Sequence, residues 1–195
     1  MANIANTEYK VQGDRKAVGN LWEELQTLGV NEKSVWLCDL AKAYGIDYEK
    51  QGISVRGQIY WADFEEDTEN DWALLSFSTE TAWSACNELF EAINAKLGDE
   101  LSISYREVEC GCDIYYVHDE GDFFPEECCV SADGEPFDNI YEEPFDTISD
   151  AINLWVSLTG IPQGDRTEDE MVELINGYDY GEDCTYFYIH PFTFI

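Results

Sequence analysis

From Glu107 to Ile195 a single base, Arg166, stands among 23 carboxylates. That stretch carries a formal charge of −22, and the whole 195-residue chain carries −32. Self-repulsion on this scale is a cost to any compact state and does nothing to specify a fold. The excess asks for a reason, and the two usual ones are solubility and a positively charged partner. The means to fold lie elsewhere: apolar residues make up 45% of the chain, including 6 Trp, 12 Tyr and 10 Phe, enough for a packed core despite the charge. No Ser/Gly-rich run suggests a flexible linker. The expected organisation is one domain over residues 1–195, with a core over 1–148 and an extension over 149–195 packed on it.

The same charge narrows the partners. Anionic lipid and nucleic acid would both repel this chain, so direct membrane or nucleic-acid binding is not expected. No apolar run approaches the roughly 18 residues that a membrane-spanning helix needs. Residues 1–8 lack the basic and apolar regions of a signal peptide, so a cytoplasmic protein is expected. Seven cysteines is an odd number and argues against a closed disulfide framework. In a reducing compartment they are expected to act as small buried hydrophobes.

Periodicity then gives the elements. Residues 7–13 alternate as a strand, Asp14 offers an N-cap, and Ala17, Leu21, Leu25 and Leu28 form a helical stripe that Gly29 stops. A second short helix is expected over 35–44. A strand over 53–64, interrupted at Gly57, returns as 72–78 across an acidic turn. Thr79 or Thr81 could cap a helix over 83–97. Strands follow over 101–108, 112–118, 127–132 and 140–143, with a tight turn at Asp133-Gly134. Thr147 or Ser149 would cap a helix over 150–158. Thr167-Glu-Asp-Glu170 is a capping box for a helix over 171–178. A strand over 184–189 ends at His190-Pro191, as befits a sheet edge. The order β-α-(α)-β-β-α-β predicts an α+β fold: a ferredoxin-like, mostly antiparallel sheet with helices on one face and a C-terminal helix–strand extension.

Three segments carry a resemblance: Gly57-Gln-Ile-Tyr-Trp61, Ser76-Phe-Ser-Thr-Glu-Thr-Ala-Trp83 and Leu101-Ser-Ile-Ser-Tyr-Arg-Glu107. Over residues 55–135 the chain resembles the YubB-type ferredoxin-like domain of plasmid, phage and integrated-element proteins. Phe77, Thr81, Ala82, Trp83, Tyr105 and Glu107 take the equivalent places. Ser84-Ala85 stand where the family has a proline pair, and one extra residue separates Phe77 from Thr-Ala-Trp. The resemblance implies the fold and a mobile-element setting. The family has no agreed catalytic residues, so none is carried over and no catalytic residue is assigned.

Among candidate sites, Cys110, Cys112, Cys128 and Cys129 offer four thiols for a tetrahedral zinc ion. The spacing speaks against it. Cys-x-Cys on a strand points both sulfurs to one face, whereas adjacent Cys128 and Cys129 point to opposite faces. Buried thiols are the default, and no metal or cofactor is expected. His118 reads as a hydrogen-bonded imidazole at a strand end, with a Cys/His-dependent enzyme as the alternative. The acidic run 63–71 lacks the glycine and terminal glutamate spacing of a calcium loop. Asp113, Asp119, Glu120, Asp122, Glu126, Glu127, Glu142 and Glu143 are the candidate partner-binding residues, with exposed aromatics beside them as anchors.

Charge density decides how far this leads. A 22.3 kDa monomer exposes on the order of 9,400 Å², or one net charge per roughly 300 Å². B-DNA carries one per about 110 Å². The leading expectation is a protein that engages a basic protein surface, such as that of a DNA-binding protein, with DNA mimicry in an anti-defence role as its sharpest form. The alternatives are a metal-binding or Cys/His enzyme, and an interaction domain whose charge serves only solubility.

Overall fold

The computed structural model describes residues 3–181 and 184–195. The chain divides into two compact units: Met1–Phe124 with Phe194–Ile195, and Pro125–Thr193.

The first unit opens with β1 (Ile4–Asp14) and α1 (Arg15–Leu28). The Asp14 carboxylate accepts from the Lys16 and Ala17 amides, and Gly29 ends the helix at φ 94°. That left-handed geometry costs glycine little. Then come β2 (Val35–Trp36), α2 (Leu37–Ala43), α3 (Tyr48–Gln51), β3 (Gly57–Asp67), β4 (Trp72–Ala82), α4 (Asn87–Lys96), β5 (Leu101–Glu109) and β6 (Ile114–His118). The sheet order is β10-β6-β5-β1-β4-β3-β2, where β10 is Thr193–Phe194. β1 pairs antiparallel with both β4 and β5. The central order β5-β1-β4-β3, with α1 between β1 and β3 and α4 between β4 and β5, is the expected split β-α-β arrangement.

α1, α2 and α4 bury into one cluster against this sheet. Leu21, Leu25, Leu37, Leu40, Leu89 and Ile93 meet Tyr9, Val11, Leu75 and Phe77 there. Tyr9 stacks on Phe77 at 4.8 Å, and Phe90 tilts onto both rings. On the opposite side of β5 and β6, Val108, Tyr115 and Val117 are buried. Phe124 lies 5.2 Å from the Arg106 guanidinium.

In the second unit β7 (Cys128–Asp133) lies between β8 (Ile140–Phe145) and β9 (Tyr186–Pro191), antiparallel to both. Helices α5 (Ile148–Thr159) and α6 (Glu168–Asn176) cover one face, with Trp155, Ile152, Met171 and Ile175 packed on Val130, Ala132, Phe187 and Ile189. The buried Trp155 indole donates to the Tyr180 hydroxyl at 2.6 Å. The Thr167–Glu170 capping box is present in full.

The structure departs from the sequence expectation in definite places. A division after residue 148 falls inside α5, whereas the second unit begins at Pro125, because β7 pairs with both β8 and β9 and shares their core with α5 and α6. Thr79 and Thr81 do not cap α4. They lie buried in β4, opposite Thr7 and Ala5 of β1, and α4 starts after Cys86 without a side-chain cap. β3 begins at Gly57 rather than Ile53. There the strand passes so close to β4 that a Cβ would sit 2.5 Å from the Glu80 carbonyl oxygen. α3, β2 and β10 are too short for periodicity to reveal.

Candidate binding site

α4 presents Asn87, Glu91 and Asn94 at positions i, i+4 and i+7, hence along one stripe. β5 presents Leu101, Ile103 and Tyr105 to the helix-covered side, every second residue of a strand. β6 adds His118, which stands opposite Tyr105 in the ladder. With Tyr9 and Glu120 these side chains line a cavity of about 230 Å³, wholly within the first unit.

Its polar groups are held in place from behind. The Tyr9 hydroxyl donates to the Asn87 side-chain oxygen at 2.6 Å. Asn94 grips the backbone of Leu101 at both its amide and its carbonyl. Glu120 accepts from the Ser102 hydroxyl at 2.6 Å, while its own amide donates to Ser104. His118 Nδ1 is 2.9 Å from the Ile195 carbonyl oxygen. A carbonyl can only accept, so Nδ1 carries the hydrogen. Nε2 then faces Glu120 at 3.7 Å. The Tyr105 and His118 rings lie 5.5 Å apart at 31° and form one wall. Burial, and then the neighbouring Glu107 and Glu91 carboxylates, raise the pKa of the Tyr105 phenol. Burial, then Cys86 and Glu107, does the same for Tyr9. Both phenols are therefore neutral hydroxyls near pH 7. Among the described residues that line the cavity, none is a lysine or an arginine.

The eight acids chosen from sequence divide evenly between the two units, Asp113, Asp119, Glu120 and Asp122 in the first and Glu126, Glu127, Glu142 and Glu143 in the second. Two of them serve the backbone. Asp119 accepts from the Gly121 and Phe124 amides. Partial burial opposes its ionisation, but those amides outweigh it and the pKa is lowered. Glu127 accepts from the Ile148 amide at the start of α5. Glu120 belongs to the cavity just described. Asp113, Asp122 and Glu143 are exposed, and Glu142 occupies the β-bulge opposite β7 with φ 49°.

The thiols do not converge. Cys110 and Cys112 are exposed in the β5–β6 turn of the first unit, whereas Cys128 and Cys129 are buried in β7 of the second. Burial, with the Glu127 and Asp150 charges, pushes the Cys128 thiol up to about 12, so it stays protonated and unreactive. Among the described residues no group of three or more His, Cys, Asp or Glu side chains is placed to hold a metal ion. Among the same residues, no helix is long and apolar enough to cross a membrane.

Of the candidates chosen from sequence, Glu120 and His118 meet at the cavity. Tyr9, Glu91 and Asn87 were not singled out. For Asn87 and Glu91 the only signal is the polar i, i+4, i+7 stripe on α4, which reads equally well as a solvated face, and Tyr9 reads only as an apolar position of the β1 alternation. No family model, no curated protein and no solved structure matches this chain.

Proposed function

We propose that this is an acid-rich binding protein that engages a positively charged macromolecule. The observation that carries the reading is where the charge lies in the fold. The second unit holds 17 carboxylates and one arginine in 69 residues, a net −16. The first unit holds 25 carboxylates and nine bases in 126 residues, also −16. The smaller unit therefore has nearly twice the charge per residue. Its lone base is directed at the backbone: Arg166 donates to the Gln163 and Pro162 carbonyls. A body of that size exposes on the order of 4,400 Å², or about one net charge per 275 Å². Gathering those charges on less than half of that area would reach the roughly 110 Å² per charge of B-DNA. DNA mimicry toward a DNA-binding protein is the sharp form of the proposal. The resemblance of residues 55–135 to YubB-type domains is the ground for a mobile-element setting, in which DNA mimicry would serve an anti-defence role.

The test is the salt dependence of binding to a fluorescent lysine decamer. A cationic partner held by a dense acidic surface should lose affinity steeply, by an order of magnitude or more between roughly 50 and 200 mM salt. Absence of binding at the lower salt concentration would overturn the reading and leave solubility as the purpose of the charge.

A further inference from the structure

We propose that the cavity between α4 and β5–β6 binds the end of an alkylammonium chain, of which the lysine side chain is the macromolecular form. The inference rests on the reading of the protein as a binder of cations and names the anchor that would achieve it.

Size, sign and wall chemistry agree on this ligand. At about 230 Å³ the cavity lies below the roughly 300–1,000 Å³ of pockets for drug-sized molecules, so it suits a side chain rather than a nucleotide. Its two ionisable carboxylates, Glu91 and Glu120, stand on opposite walls, one on α4 and one just past β6, and both are exposed to an entering ligand. With no lysine or arginine in the described lining, an anion would find no positive side chain to balance it against Glu91 and Glu120. Leu101 and Ile103 supply apolar surface for the methylenes. The Tyr105 ring, braced by the His118 ring beside it, gives an aromatic wall, and a tyrosine face attracts ammonium groups. An ammonium carries three donors and no acceptor. The carboxylates of Glu91 and Glu120 and the neutral Tyr105 phenol are acceptors to match. The Asn87, Asn94 and Ser102 contacts fix the walls before any ligand arrives, so little ordering is needed on binding.

The probe is n-butylammonium, titrated into the intact protein while the ring protons of His118 and Tyr105 are followed by NMR, with n-butanol as the uncharged control of the same length. The expected result is a saturable shift of both rings with butylammonium in the millimolar range, little shift with butanol, and at least about fivefold weaker binding in Glu91→Gln/Glu120→Gln. Equal shifts with butanol, or none with butylammonium, would overturn the proposal on the wild-type protein alone, whatever the variant does to folding. Adding the lysine decamer separates the two sources of the ligand. Movement of the same resonances identifies a partner's side chain, and a response to butylammonium alone identifies a free amine. The two levels of inference also fail separately. Decamer binding with silent cavity resonances refutes the anchor and keeps the acidic-binder reading. Butylammonium binding without decamer binding does the reverse.

Discussion

Asn31 closes the open edge of β3, and replacing it gives a quantitative test of how the first sheet ends. β2 pairs only with Ile59 and Gln58, leaving the rest of the 11-residue β3 beyond its reach. Asn31 takes over at Ala62. Its side-chain amide donates to the Ala62 carbonyl at 2.7 Å, and its oxygen accepts from the Ala62 amide at 3.0 Å, the two bonds that a neighbouring strand would make. It does so at φ 69°, a conformation that asparagine tolerates better than alanine. Asn31→Ala removes both bonds, at about 1 kcal/mol each, and adds about 1 kcal/mol of backbone strain. The expected loss is ~3 kcal/mol, a drop in melting temperature of roughly 6–12 °C for a chain of this length. Asn31→Gly relieves the strain and loses the same bonds, but glycine's greater unfolded-state entropy takes back about 0.5–1 kcal/mol, so it should recover at most about 0.5 kcal/mol over the alanine variant. Urea denaturation of the three proteins measures the differences. Should Asn31→Ala fall within about 0.5 kcal/mol of the wild type, this residue does not hold the edge and its two bonds carry no net stability.

Three further outcomes are expected. Burial first, and the Glu109 charge after it, raise the pKa of Glu107, although the Ala85 amide bond at 2.7 Å opposes them. The folded state thus holds this proton more tightly, so stability is full below the ordinary value of 4.5 and is lost as pH rises through the raised one. Glu107→Gln keeps an acceptor for Ala85 and should gain stability relative to the wild type as the pH rises above 4.5, and a flat difference in urea midpoints across that rise would count against this. Thr167→Ala removes one arm of the capping box and should destabilise the second unit by about 1 kcal/mol, read from amide exchange of α6. A thiol reagent should label the exposed Cys110, Cys112 and Cys184 rapidly in the folded protein and Cys86, Cys128 and Cys129 only after denaturation, with prompt labelling of Cys128 as the contrary result.

What could be read from the sequence was local. Asp14 and Gly29 bracket α1, and Thr167 and Glu170 open α6, because caps are built from residues a few positions apart. The alternation of residues 101–108 marked β5 for the same reason. Thr79 and Thr81 misled because a threonine before a helical stripe looks like a cap whether or not a neighbouring strand claims it. β1 does claim them, across more than seventy residues. The boundary at Phe124 and Pro125 depends on β7 pairing with β9, nearly sixty residues further on, and no local pattern encodes that. The cavity shows both sides of the matter. His118 was legible as a strand-end imidazole with a hydrogen-bond partner. That the partner is the carbonyl of Ile195, and that α4 brings Glu91 across from it, follows only from the fold.

Displacement of duplex DNA from the lysine decamer tests the central claim most directly. If the acidic surface presents its charge to a cation as a phosphate backbone does, adding this protein to a preformed decamer–DNA complex should release the DNA in proportion to the protein added, and raised salt should abolish the competition. DNA that stays bound at a large excess of protein over decamer, at low salt, would contradict the account.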